Sequence, residues 1–280
     1  MKTSTFKRLA GWISISALAL GLIAATQSAQ AANDVRNSRH NLSSSRPVVD
    51  ALGEDGQTLV GDIYVTDTDQ VCVFCHTPHG ANTSFAVPLW NKATPLSVYT
   101  AYSMTGSSSI GSATVSGMSL ACLTCHDGTQ AMDNMLNTPG LGTAALTGDT
   151  LTAGYSWSAA SVDVTLGALS ANAPPTGGPV LGTDLSNDHP IGMTYCGMQT
   201  VAGTCDGAEI ANFVTPGTIG TAQGTSGGSA TEIKLFGGTA ATGNGTVECG
   251  SCHDPHGTGN QLFLRKTAAG SAICLACHVK

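Results

Sequence analysis

Four times between residues 72 and 278 a cysteine pair spaced C-x-x-C is followed at once by histidine. The runs are Cys72-Val73-Phe74-Cys75-His76, Cys122-Leu123-Thr124-Cys125-His126, Cys249-Gly250-Ser251-Cys252-His253 and Cys274-Leu275-Ala276-Cys277-His278. This is the attachment pattern of c-type haem: the two thiols bond covalently to the porphyrin edge, and the adjacent imidazole is held where it ligates the iron from one side. The competing reading is a set of redox disulfides or half zinc sites with a histidine next door by accident. With 8 His in 280 residues, four such accidents come to roughly one in a million. The chain therefore reads as carrying four covalently bound haem c groups with their irons, attached through these eight cysteines.

Histidine supply extends the argument. His76, His126, His253 and His278 serve as proximal ligands, which leaves His40, His79, His189 and His256, one for each iron. A second strong ligand closes an iron to substrates and suits electron transfer, whereas an open position suits binding or chemistry. Matching counts point to bis-histidine coordination. Methionine is the other candidate sixth ligand, with Met104, Met118, Met132, Met135, Met193 and Met198 available, and packing is the ordinary role of methionine in a chain this apolar. His79 and His256 sit three residues after a proximal histidine, in Cys-His-Thr-Pro-His-Gly and Cys-His-Asp-Pro-His-Gly. From there each reaches a neighbouring haem more easily than the far face of its own, which predicts adjacent haems without saying which iron each serves.

Residues 1–31 read as a secretory signal: Lys2, Lys7 and Arg8, then apolar sequence from Leu9 to Ala25, then Ala29-Gln30-Ala31 as the small-residue cleavage site. No later apolar run is long enough to span a bilayer, so the mature chain is expected outside the cytoplasm, at the cell surface or beyond, with the periplasm as alternative. Two cysteines lie outside the haem motifs, Cys196 and Cys205. In an oxidising compartment they most simply pair as a disulfide closing a short loop, with free thiols the alternative. Loss of the leader leaves 8 basic residues against 18 acidic ones, a formal balance of −10, which argues against a nucleic-acid partner. Arg265 and Lys266, between two haem motifs, are the first candidates for haem propionates, with plain solvation as the alternative.

Only 10% of residues are charged, against about 25% in an ordinary soluble domain, and glycine and other small residues take their place. Such side chains fill little volume, so the haem plates themselves are expected to serve as core. Long amphipathic periodicity is nearly absent. The predicted fold is a mostly irregular, haem-packed single unit over residues 32–280, with a few short helices at the haem motifs and a few short β-strands. Residues 72–126 are expected to hold the first two haems, 127–248 to form a Gly/Thr-rich region with a distal histidine and the expected disulfide, and 249–278 to hold the last two haems. Strands are expected near 58–65, 161–166 and 231–236, and the second motif is expected on a single helical turn.

The runs Cys-His-Thr-Pro-His-Gly at 75–80, Pro-Leu-Trp-Asn at 88–91, Asp-His-Pro-Ile-Gly at 188–192, Cys-Gly-Ser-Cys-His-Asp-Pro-His-Gly at 249–257 and Phe-Leu-Arg at 263–265 resemble the doubled C-x-x-C-H multihaem c-type cytochromes. Haem number, size, export and the early Ser38-Arg39-His40 are similar to the tetrahaem subunits of extracellular cytochrome filaments. That resemblance implies a non-enzymatic electron conduit, a homopolymer passing electrons to other cytochromes or extracellular acceptors. In such filaments a histidine of one subunit ligates a haem of the next, and an N-terminal arm makes His40 the residue to watch for that role. Head-to-tail contacts that do not close generate open filaments. A soluble periplasmic electron shuttle is the alternative, and a multihaem redox enzyme with one open haem is a further one.

Overall fold

The computed structural model describes residues 35–46, 64–103, 113–115, 117–130, 135–137, 155, 162–163, 168–169, 180–196, 205, 211–215, 233–237, 245–257 and 259–280. The expected signal sequence and most of the 58–65 strand lie outside them. Regular structure is sparse, as composition predicts. Helix α1 (Gly117–His126) and the single turn α2 (Cys249–Cys252) accompany two-residue strands β1 (Thr100–Ala101), β2 (Val162–Asp163), β3 (Ala168–Leu169), β4 (Asp184–Leu185), β5 (Met193–Thr194) and β6 (Thr246–Val247). The strands join in three pairs: β1 parallel to β4, β2 antiparallel to β3, and β5 antiparallel to β6 with Met193 opposite Val247. Among the described residues, β2 falls within the expected 161–166 strand, and in the expected 231–236 strand Phe236 bridges to Thr246.

The second haem motif rides on more than the single turn expected. Met118, Leu120, Ala121 and Leu123 are good helix formers, and burial of Ser119, Ala121, Leu123 and Thr124 gives the helix a packed side, so α1 runs ten residues. It stops where the Asp127 carboxylate collects the amide and hydroxyl of Thr129 and Gly128 turns at φ +74°. That conformation favours glycine. In α2 the Glu248 amide donates to Ser251 Oγ (2.9 Å) while the Ser251 amide donates back to the Glu248 carbonyl (2.8 Å), which satisfies amides that a helix start leaves over.

The helices α1 and α2 pack on each other, and glycine makes the approach possible. A Cβ at Gly250 would stand 2.9 Å from Met118 Cγ and 3.0 Å from Phe236 Cζ, closer than packed carbons tolerate. Among the described residues apolar burial falls into two small clusters. Leu42, Val65, Val73, Phe74 and Met135 pack with Cys75 and Cys125, while Tyr195, Cys196, Ile233 and Leu235 pack with Phe213, Ile273 and Cys277. Each cluster is built against haem-motif cysteines, so fold and attachment sites are one construction.

Candidate haem sites

Three of the four motifs are fastened by the same clip. At the first, the Thr77 amide donates to Leu89 O (2.9 Å) and the Asn91 amide to Cys75 O (2.8 Å), bridging His76 to Trp90. At the third, the Asp254 amide donates to Phe263 O (2.8 Å) and the Arg265 amide to Cys252 O (2.8 Å), bridging His253 to Leu264. The fourth repeats this with Val279 to Asn212 O and Val214 to Cys277 O, both 2.9 Å, bridging His278 to Phe213.

Side chains complete the first two clips at equivalent positions. Asn91 Nδ2 donates to Val73 O (2.7 Å) and Arg265 Nε to Gly250 O (2.8 Å), in each case the residue after the first cysteine. Arg265, a sequence candidate for propionate binding, is 6% exposed and also faces Asp254 at 3.4 Å. Lys266 is exposed. Sequence reasoning missed this repeat because its partner strands share almost no residues. Leu89 and Phe263 are both left-handed (φ 58° and 59°) one position before the bridge, a conformation that neither side chain announces in sequence.

The clips also fix the imidazoles. His76 Nδ1 lies 2.9 Å from Pro88 O and His253 Nδ1 2.8 Å from Leu262 O. Among the remaining histidines, His40 Nδ1 lies 3.1 Å from Pro255 O and His189 Nδ1 3.1 Å from Pro190 O. A carbonyl accepting the Nδ1 proton selects the tautomer with a bare Nε2, the form that binds metal. Burial pushes His40 down to about 4, with His126 and His256 adding to the effect against its bond to Pro255, so it is neutral near pH 7.

The histidines themselves form pairs. Ring centres of His76 and His256 stand 6.1 Å apart, those of His40 and His126 6.3 Å, and those of His189 and His278 6.4 Å. Two imidazoles on opposite sides of one metal, with bonds of about 2.0 Å and about 1.1 Å from each nitrogen to its ring centre, stand roughly 6.2 Å apart. The donor sets therefore fit an iron held between two imidazoles, and a cavity of about 570 Å³ beside the first motif is lined by Cys72, Val73, His76 and His79.

Pairing crosses between motifs: His256, three residues beyond His253, faces His76 of the first motif. His40 lies beside His126 of the same chain; Phe263 stacks on its ring at 4.2 Å, and the neighbouring Asn41 is fully buried. His79 and His253 stand opposite no other imidazole at such a distance among the described residues, and both are exposed.

The attachment cysteines are eight free thiols, Cys72, Cys75, Cys122, Cys125, Cys249, Cys252, Cys274 and Cys277. Burial, with Cys125 near, pushes the Cys75 thiol up to about 12, and burial with Cys252 near pushes Cys277 up to about 11. The thiols of Cys122 and Cys249 share a hydrogen bond that holds Cys122 up and Cys249 down, so the second and third motifs present their first cysteines to each other. Cys196 and Cys205 are joined as a disulfide with Cα atoms 5.2 Å apart. No helix among the described residues is long and apolar enough to cross a membrane.

Residues 241–280 match the family model described as the doubled CXXCH motif, which spans the third and fourth motifs and supports a multihaem c-type cytochrome. A comparison with curated proteins finds no match to the chain. The class carries covalently bound haem c and is suited to electron transfer rather than catalysis.

Proposed function

We propose that this chain is a tetrahaem electron conduit acting outside the cytoplasm, with every iron held between two histidines, and that it works as a head-to-tail polymer. The carrying observation is the set of three imidazole pairs at 6.1, 6.3 and 6.4 Å. Bis-imidazole ligation leaves no open iron for a substrate, so the function is relay. The approach of Cys122 to Cys249, and the seating of His256 of the third motif on the first, support haems close enough for direct transfer.

The same inventory supports the polymer and moves its key residue. Once three pairs are formed within the chain, His253 lacks a partner and His79 lacks a haem. Each residue thus fits the other on a second copy, His79 of one chain completing the site of His253 in the next. The third motif already uses the same device internally, since its Pro-His element delivers His256 to the first motif. A contact of this kind is heterologous and propagates.

Electron paramagnetic resonance and electron microscopy of the oxidised holoprotein test this together. The expected result is filaments with low-spin haem throughout, and for His79→Ala, dispersed subunits with one high-spin haem in four. Filaments from the variant with all four haems low-spin would overturn the assignment of His79. Dispersed wild-type chains with four low-spin haems would overturn the polymer and leave the soluble shuttle.

A further inference from the structure

Glu248 is a buried carboxyl, 3% exposed, at the junction of the second and third haem motifs. It directly precedes Cys249. Its Oε2 accepts a short hydrogen bond from the hydroxyl of Ser119, three residues before Cys122, and that Ser119 oxygen accepts the Cys249 amide at 3.0 Å. Ser119 and Ser251 around it are equally buried. The carboxyl is thus placed between the two attachment segments whose first cysteines touch, and no part of the relay described above uses it.

Hydrogen counting around the other oxygen is informative. Thr246 Oγ1 lies 3.1 Å from Glu248 Oε1 and 3.1 Å from Phe236 O, both acceptors when Glu248 is ionised. One hydroxyl proton cannot serve both. Phe236 O also accepts the Thr246 amide at 2.7 Å, so it keeps a donor in either case; if the hydroxyl proton goes to Phe236 O, the contact between Oε1 and Oγ1 is satisfied only by a proton on Glu248 Oε1, donated to Thr246 Oγ1. With Glu248 ionised, the Thr246 hydroxyl turns to Oε1 instead. Either state needs only rotation of a hydroxyl, and half-buried Thr246 gives the proton a way out.

We propose that Glu248 is a proton acceptor coupled to electron occupancy at this junction. The proposal rests on the reading of the chain as a haem electron carrier. As one electron from the redox partner makes a neighbouring ferric iron ferrous, Glu248 takes one proton from solvent and its carboxylate becomes a carboxyl. The local charge is then unchanged, which matters at a buried site where uncompensated charge is costly. Burial raises the affinity of Glu248 for its proton, against the opposing bonds from Ser119 and Thr246. On the elements packed here the other titratable groups are Cys122, Cys125, Cys249 and Cys252, consumed by haem attachment, His126 at the end of α1 beside His40, Lys234 beside α2, and Arg265, engaged with Gly250 and Asp254.

Redox-difference infrared spectroscopy of the holoprotein is the test, with midpoint potentials measured against pH. Reduction is expected to produce a protonated-carboxyl band that is absent in Glu248→Gln, together with a weaker pH dependence of at least one midpoint. Ser119→Ala, which removes a donor to the carboxylate, is expected to move the bend in the potential–pH curve to higher pH. This provides a readout if the glutamine variant does not fold. An unchanged band in Glu248→Gln, or an unmoved bend in Ser119→Ala, would overturn the proposal. Haem stoichiometry and low-spin signals measured on the same samples report separately on the carrier reading.

Discussion

Asn91→Leu is the most direct probe of the clip that seats the first haem motif. Asn91 is fully buried; its Nδ2 donates to Val73 O (2.7 Å) and Asn137 O (2.9 Å), and its Oδ1 accepts the Asn137 amide (2.9 Å). Leucine keeps the volume and removes all three bonds, leaving two carbonyls and one amide without that partner. At about 1 kcal/mol net for each lost bond, and more where desolvation is complete, the cost is about 3 kcal/mol. That is a large share of a stability of about 5–15 kcal/mol. Guanidinium unfolding of the holoprotein, followed by the Soret band, should show a lower midpoint at unchanged slope. A loss below about 1 kcal/mol would refute the idea that these bonds hold the C-x-x-C turn. The backbone bond from the Asn91 amide to Cys75 O survives the substitution, so haem attachment is expected to persist.

The remaining predictions concern the third clip, a ligand pair, the disulfide and alkaline pH. Arg265→Met should destabilise by about 3 kcal/mol in the same assay, because the bond to Gly250 O is lost and Asp254 keeps a charge without its guanidinium partner. His256→Ala should convert the haem of the first motif, and not its own, to a high-spin form; selective labelling of His76 and His253 in magnetic resonance distinguishes the two. Cys205→Ser opens a nine-position loop and should cost about 2–3 kcal/mol, read by denaturant unfolding without reductant. Burial and the hydrogen bond to Asp127 raise the Tyr99 phenol above its ordinary value. This contribution is complete below the unfolded phenol value of about 10 and is lost as pH rises through the higher folded value. Tyr99→Phe should therefore flatten the alkaline limb of the stability–pH curve, and an unchanged limb would count against it.

The chemistry of the site was legible because covalent attachment is written in contiguous residues. Cys72 to His76 and its three counterparts declare themselves without any fold, and a low charge content with few large side chains already implies a coil-rich chain organised by its cofactors. The ten-residue length of α1 was less legible, since Gly117 and Ser119 are weak helix formers and packing against α2 decides the matter.

Which histidine meets which is a different kind of information. His256 faces His76 across 180 positions of sequence, and His40 reaches His126 because Phe263 and Pro255, far along the chain, receive its ring and its Nδ1. The clips that hold His76, His253 and His278 are made by main-chain groups, which leave little trace in side-chain identity. The sequence by itself determined the cofactor type, the number of attachment motifs and the supply of histidines, because those depend on residue type and local spacing. Only the tertiary structure decided the pairing of imidazoles, the exposure of His79 and His253, and the burial of Glu248 between two motifs. Each of those depends on contacts between segments brought together only when the chain closes on itself.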